Sequence, residues 1–322
     1  MMNRPVPWDD IRKPDRDYNV RLVPGGSRVP LYWGRDSDGR CLFIVELEGD
    51  NTALFRRSET SVHGIGVDLR LLDVTRSQGL VLTLEQQVDR DLFLGLCETL
   101  IASVQQTGGS SEALAVALAH LKRWKAFLAG RKTRMLSPDE IRGLFAELQF
   151  LRSLYQKLPQ KAAIGAWCGP HGIHQDFIFG DRAVETKAVS GRERSAVRIS
   201  SEDQLESTCD ILFLTIFRLS EMPESDRALS LNDQVRLIES ELTDAEALEE
   251  FWVRLGACGY VDMREYDAPK LVVTGQRVFE VTDGFPRLIR SQLPAGIARV
   301  GYEIQLEKLV PFECTADRIW GD

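Results

Sequence analysis

The sequence predicts an α/β (α+β) protein, a helix-flanked sheet core with an additional amino-terminal β-rich domain. Three observations point to it. Residues 1–105 alternate short apolar runs with turn signals, residues 112–158 carry helical periodicity, and the remainder interleaves strand and helix patterns. In order, "VPLYW" (29–33) and "CLFIVEL" (41–47) flank Asp36-Ser37-Asp38-Gly39, a hairpin signal. "IGVDLRLL" (65–72) and "GLVLTL" (79–84) read as two more strands, and a helix follows over about 86–105. "TGGSS" (107–111) reads as a loop.

Ser137-Pro138-Asp139-Glu140 matches a capping box with proline at the first helical position. Ile141, Leu144, Phe145, Leu148, Leu151, Leu154, Tyr155 and Leu158 then form one apolar stripe, ending near Pro159. Two short runs flank Gly180-Asp181-Arg182, and a polar helix-like segment covers 200–208. "ILFLTIFRL" (211–219) is apolar on both faces, as a central strand is. Residues 228–257 read as helical; 270–281 and 299–309 read as strands. The expected organisation is an amino-terminal β-rich domain over 1–111, a helical connector and core over 112–219, and an α/β region over 220–322.

The chain is 43% hydrophobic and 27% charged, a globular balance, and has no apolar run long enough to span a bilayer. The first residues lack the apolar core of a signal peptide, so a cytoplasmic protein without membrane association is expected. Six scattered cysteines without a C-x-x-C pair read as reduced core thiols. The net charge of −8 counts against a protein whose main task is coating nucleic acid, though a nuclease needs only a local basic track.

Four charged residues do not suit their elements. Glu147 falls on the apolar arc of its helix, between Leu151, Leu154 and Leu158. Glu185 and Lys187 share one face of a strand whose flanks are apolar, and the turn at 180–182 brings Asp176 back toward that strand. The plain alternative is structural: an exposed Glu-Lys pair, or Glu147 and Lys187 paired in the core. The chemical reading is a site for Mg²⁺ (or Mn²⁺), which takes oxygen ligands from a few carboxylates, water and substrate phosphate. Asp176 and Glu185 would hold the metal, Glu147 would reach in from the helix, and Lys187 would orient water or offset developing charge.

Here the chain resembles the PD-(D/E)XK nuclease superfamily, with Gln175-Asp176 at the first half of the motif and Glu185-Thr186-Lys187 at the second. More narrowly, "GLFAELQFL" (143–151), W-C-G-P (167–170), "QDFIF" (175–179), "AVETKA" (183–188), "RISSEDQLE" (198–206), "FPRL" (285–288) and "LPAGIARVGYEIQL" (293–306) resemble a bacterial family of PD-(D/E)XK motif proteins encoded near restriction and phage-defence genes. The resemblance implies a restriction-endonuclease-like core, with a central mixed sheet flanked by helices. It implies metal-ligand roles for Asp176 and Glu185, a catalytic role for Lys187, an accessory acid in Glu147, and an accessory Gln204. It departs from the motif's name in carrying Gln175 where proline stands. The expected function is a Mg²⁺-dependent DNA endonuclease within a restriction or defence system. The rival is a non-catalytic DNA-binding or scaffolding subunit.

Cys168, His171, His174 and Asp176 could be read as a zinc cluster, but zinc sites pair their ligands around tight turns and no second pair lies nearby. His174 is instead a candidate substrate contact at the mouth of a cleft. The basic run 120–134 holds Lys122, Arg123, Lys125, Arg131, Lys132 and Arg134, with Trp124 and Phe127 interleaved. It reads equally as a solvated helix face or a track for DNA phosphates, which Arg192, Arg194 and Arg198 would extend. The absence of a Walker A loop assigns any ATP-driven step to another subunit, such as an ATPase or helicase; a methyltransferase is a further expected partner, and a homodimer is compatible with the sequence.

Overall fold

The structure is a computed structural model that describes residues 6–58, 62–72, 76–85, 88–129, 134–191, 196–297 and 299–321. The chain divides into two compact units, Met1–Arg134 with Val261–Arg264, and Met135–Tyr260 with Glu265–Asp322.

The first unit contains β1 (Tyr18–Leu22), β2 (Leu31–Asp36), β3 (Cys41–Leu47), α1 (Thr52–Ser58), β4 (Ile65–Leu71), β5 (Gln78–Leu84), α2 (Arg90–Val104) and α3 (Ser110–Ala129). Its strands form one sheet in the order β1-β2-β3-β5-β4, antiparallel throughout. The β2–β3 turn closes as its sequence predicts. Asp36 Oδ1 accepts from the amides of Asp38 and Arg40 (3.0 and 2.8 Å), and Gly39 takes the left-handed φ of +86°. Central β3 is buried along its whole length, including Glu46, whose carboxylate accepts from Tyr32 Oη (2.7 Å) and Ser77 Oγ (2.6 Å). Asp89 caps α2 through the amide of Asp91.

Helix α3 answers one question the sequence left open. Trp124 and Phe127 are buried in the core and meet edge to face at 5.4 Å, whereas Lys122 and Lys125 are exposed. The aromatics are packing residues and do not interleave with the cations on a common surface. His120, on the same helix, is buried against Ser103 Oγ at 2.8 Å. Burial, reinforced by the charge of Arg123, pushes its pKa down to about 4. Below the ordinary His value of 6.5, the unfolded chain therefore takes up a proton that the folded chain refuses. Stability is expected to fall by about 3 kcal/mol as pH drops from 6.5 toward 4. His120→Gln should flatten that part of a melting-temperature profile.

The second unit contains α4 (Pro138–Tyr155), α5 (Gln160–Ala166), β6 (Phe177–Phe179), β7 (Arg182–Ser190), β8 (Ala196–Ile199), β9 (Ile211–Glu221), α6 (Leu231–Glu241), α7 (Ala245–Ala257), β10 (Leu271–Glu280), β11 (Tyr302–Gln305) and β12 (Glu313–Cys314). The main sheet runs β12-β10-β9-β7-β6; β7 and β9 are parallel and the other pairs antiparallel, so it is a mixed sheet. Strands β8 and β11 form a separate antiparallel pair. Strand β9 sits at the centre, as its two apolar faces require. Phe213 and Leu214 are wholly buried, each side chain contributing about 2 kcal/mol of hydrophobic stabilisation.

The capping box forms at α4. Ser137 Oγ accepts from the Glu140 amide (3.3 Å), and Glu140 Oε2 from the Ser137 amide (2.9 Å). One face of β6–β7 meets this helix. Phe177 pairs with Val184 and packs on Phe150 at 4.7 Å. On the other face, Ala183 and Val189 join a core cluster with Val197 and Ile199 of β8 and Ile304 of β11. The β6–β7 strands are thereby covered on both sides.

Three elements differ from their sequence patterns. The helical stretch 228–257 is two helices, because Asp244 caps α7 through the amides of Glu246 and Ala247 (2.9 and 3.0 Å). The segment 200–208 contracts to one 3₁₀ turn, Glu202–Leu205. Only Tyr302–Gln305 of the run 299–309 is strand; Leu306–Phe312 is 3₁₀, burying Leu306 and Leu309 at a spacing of three. All six cysteines are free, but only Cys41 and Cys97 are buried; the other four are half-buried. Among the described residues, no helix is long and apolar enough to cross a membrane.

Candidate active site

Strand alternation puts Glu185 and Lys187 on the same face of β7 as Ala183 and Val189. The β6–β7 turn is tight, Phe179 pairing with Arg182 around Gly180 at φ +57°. Asp176 therefore stands one step past the Phe177–Val184 pair, opposite Glu185. Its Oδ2 accepts the Thr186 amide at 2.7 Å. Glu185 is wholly buried; its Oε1 meets Lys187 Nζ at 2.6 Å, and its Oε2 has no hydrogen-bond partner among the described residues. Lys187 Nζ also donates to Gln204 Oε1 at 3.1 Å, which accepts the Ser200 amide as well, at 2.8 Å. The two acids and the lysine picked out from the sequence thus converge, and Gln204 joins them.

Glu147 enters from α4. Its Oε2 accepts the indole N–H of Trp167 at 2.8 Å. Gly169 explains how it approaches Asp176. A Cβ at that glycine would lie 3.1 Å from Asp176 Oδ1 and 3.3 Å from Glu147 Oε2, so both oxygens crowd one point and would have to give by a few tenths of an ångström to a larger residue. The amides of Cys168 and Gly169 donate to the main-chain oxygen of Asp176 (2.7 and 3.1 Å), which ties the W-C-G-P loop to the acid it shelters. Gly169→Ala is expected to preserve the fold while weakening Mn²⁺ binding about tenfold, read by calorimetric titration.

The electrostatics follow from gathering carboxylates in a dry place. Burial pushes the Asp176 carboxyl up to about 6, against the opposing pull of Lys187 and the Thr186 amide. Burial raises Glu185 well above the carboxylate range, Asp176 adds to the rise, and Lys187 opposes it. For Lys187, burial acts to lower the pKa, but Glu185, Asp176 and Glu147 outweigh it and the ammonium is held above its ordinary range. Excess negative charge with one buried, unpartnered carboxylate oxygen suits a cation with hard oxygen preferences. Asp176 Oδ1 and Glu185 Oε2 are the donor pair left over, with Glu147 beside them.

Two residues that sequence reasoning missed hold this arrangement. Gln175 is buried and donates through Nε2 to the main-chain oxygens of Asp203 (3.0 Å) and Glu206 (2.8 Å), fixing the turn that carries Gln204. Proline could not make those bonds, so the departure from the motif's name has a structural use. Trp167 is fully buried; besides orienting Glu147, its main-chain oxygen accepts from Arg254 of α7. No local pattern marks either role, because their partners lie far along the chain or in loops.

Other candidates fall elsewhere. His174 is exposed, with Nδ1 3.9 Å from Asp203 Oδ2, and lines a recess next to Gln204. His171 is exposed too. Among the described residues no three His, Cys, Asp or Glu side chains stand as a ready-made metal-binding group, and that holds for Asp176, Glu185 and Glu147 as well as for the Cys168–His174 stretch. Lys122, Arg123, Lys125 and Arg134 belong to the amino-terminal unit. Arg198 is exposed on β8. Arg131, Lys132, Arg192 and Arg194 lie outside the described residues.

A mixed sheet flanked by helices, with acids on a hairpin and a Glu-x-Lys strand beside a helix glutamate, defines the PD-(D/E)XK nuclease-like class. The comparison with known families agrees. The chain belongs to the family described as "Putative PD-(D/E)XK family member" (DUF4420), which it matches over residues 6–307. No curated protein and no solved structure matches the chain.

Proposed function

We propose that this protein is a Mg²⁺- or Mn²⁺-dependent DNA endonuclease of a bacterial restriction or phage-defence system, acting in the cytoplasm. The observation that carries the reading is the convergence of Asp176, Glu185 and Lys187, with Glu147 at Gly169 and a wholly buried Glu185 oxygen that has no hydrogen-bond partner among the described residues. Asp176 and Glu185 would hold the metal, with Glu147 in support. When bound, a divalent ion supplies Lewis-acid polarisation of the phosphate and lowers the pKa of water. Lys187, braced by Gln204, places a fixed positive charge where negative charge grows on the phosphate. The covered strands keep this face dry, which strengthens each of these interactions. DNA is the expected partner; an ATPase or helicase subunit would supply any translocation.

The scaffolding alternative draws support from the Glu185–Lys187 contact, since two groups that satisfy each other's charge can serve structure alone. The deciding experiment incubates the purified protein with plasmid, linear and single-stranded DNA, with and without Mn²⁺. The nuclease reading expects Mn²⁺-dependent cleavage of at least one DNA form. Binding without cleavage under every condition would favour the scaffold.

A further inference from the structure

We propose that the recess beside Gln204 is a subsite for a second phosphate of the bound DNA strand, adjacent to the one hydrolysed. The inference rests on the nuclease reading and adds a residue to it, Arg299. Two segments that the sequence singled out, "RISSEDQLE" and "LPAGIARVGYEIQL", the second without a role, come together here through the β8–β11 pairing of Ile199 with Tyr302 and Ala196 with Gln305. Beside that pair lies an open recess of about 330 Å³, lined by Ile173, His174, Ser201, Asp203, Gln204, Arg290 and Arg299.

The recess is built rather than incidental. Glu202, wholly buried, binds Arg290 at 3.1 Å and accepts the Val300 amide at 2.9 Å, which fixes the residue that follows Arg299. Arg290 also reaches Asp203 Oδ1 at 3.5 Å, and its main-chain amide donates to Glu206 at 3.2 Å. Its charge is therefore committed to holding the loop. Arg299 is different: it is exposed and forms no ion pair among the described residues. The acid of the lining, Asp203, is turned to Arg290 and His174.

Gln204 joins this recess to the reaction centre. Its Oε1 is occupied by Lys187 and the Ser200 amide, while its side-chain NH₂ has no hydrogen-bond partner among the described residues. Arg299, the Gln204 amide and His174 thus offer a guanidinium, an amide NH₂ and an imidazole to an anion next to the catalytic lysine. A guanidinium matches the oxygen geometry of a phosphate. A DNA strand reaching the carboxylates needs compensating positive charge close by, because those acids repel its backbone.

The test is duplex-DNA binding by fluorescence anisotropy over a salt series, comparing Asp176→Asn with Asp176→Asn/Arg299→Gln so that no strand is cut. The double variant should bind about tenfold more weakly, and its plot of log affinity against log salt should be shallower by about 0.9, one phosphate contact. Its melting temperature should match the parent's, because the exposed Arg299 side chain forms no ion pair among the described residues. Equal affinity and equal slope would overturn the subsite while leaving the nuclease reading intact. A protein that neither binds nor cleaves DNA would overturn both.

Discussion

Asp176→Asn is expected to melt at a higher temperature than the wild type in metal-free buffer at pH 8, and to lose the stabilisation that Mn²⁺ gives the wild type. The sign follows from the environment of the carboxyl. Its folded pKa is pushed up to about 6 from an ordinary 3.8, so between those values the folded chain holds a proton that the unfolded chain releases. Stability is full below pH 3.8 and is lost as pH rises through 6, a penalty of roughly 3 kcal/mol at pH 8. Asparagine carries no such penalty and still offers an oxygen to the Thr186 amide. On the proposed function, a bound divalent ion would offset the same penalty in the wild type, with a stabilisation that grows with the logarithm of metal concentration. Without Asp176 that gain should shrink to the baseline. Melting curves of both proteins in EDTA and in Mn²⁺, at pH 5 and pH 8, read all of this, and the two proteins should converge in EDTA toward pH 4.

Lys187→Ala is expected to abolish cleavage and also to destabilise the metal-free protein. A lysine that served catalysis alone could be removed without loss of stability. Lys187 is not placed that way. Lys187 Nζ is the cation against the wholly buried Glu185, and among the described residues Glu185 Oε2 already lacks a hydrogen-bond partner. Removing one member of a buried pair strands the other, at a cost of about 3–5 kcal/mol if it stays charged. Glu185 will instead take up a proton, so the loss should be larger at pH 8 than at pH 5. The double variant Glu185→Gln/Lys187→Met should recover most of the stability and none of the activity. A double-mutant cycle in urea checks the coupling.

How much was legible depended on whether the signal was local. The capping box at Ser137, the Asp36–Gly39 hairpin and the two-faced apolar run of β9 are set by neighbours in sequence, and each forms as its pattern requires. The alternation of β7 places Glu185 and Lys187 together for the same reason. What the sequence concealed came from distant partners. Whether Trp124 and Phe127 pack inward or line a basic track is decided by a core assembled from other elements. The run 299–309 keeps a strand-like alternation, yet Val300 gives its amide to Glu202, and Leu306 and Leu309 bury themselves in a 3₁₀ turn. Gln175 and Trp167 are invisible as site residues for a related reason. Their contribution is a hydrogen bond to a turn or to an acid on another element, and no spacing rule encodes that.

The central claim is that Glu147, Asp176, Glu185 and Lys187 form one metal-dependent centre for phosphodiester hydrolysis. Nicking of supercoiled plasmid in Mn²⁺ by equal amounts of wild type and folded Asp176→Asn tests it most directly. The expected result is cleavage by the wild type that EDTA stops, and a rate for Asp176→Asn lower by roughly a thousandfold or more, the scale on which loss of an electrostatic catalytic group is felt. Equal Mn²⁺-dependent cleavage by the two proteins would contradict the claim.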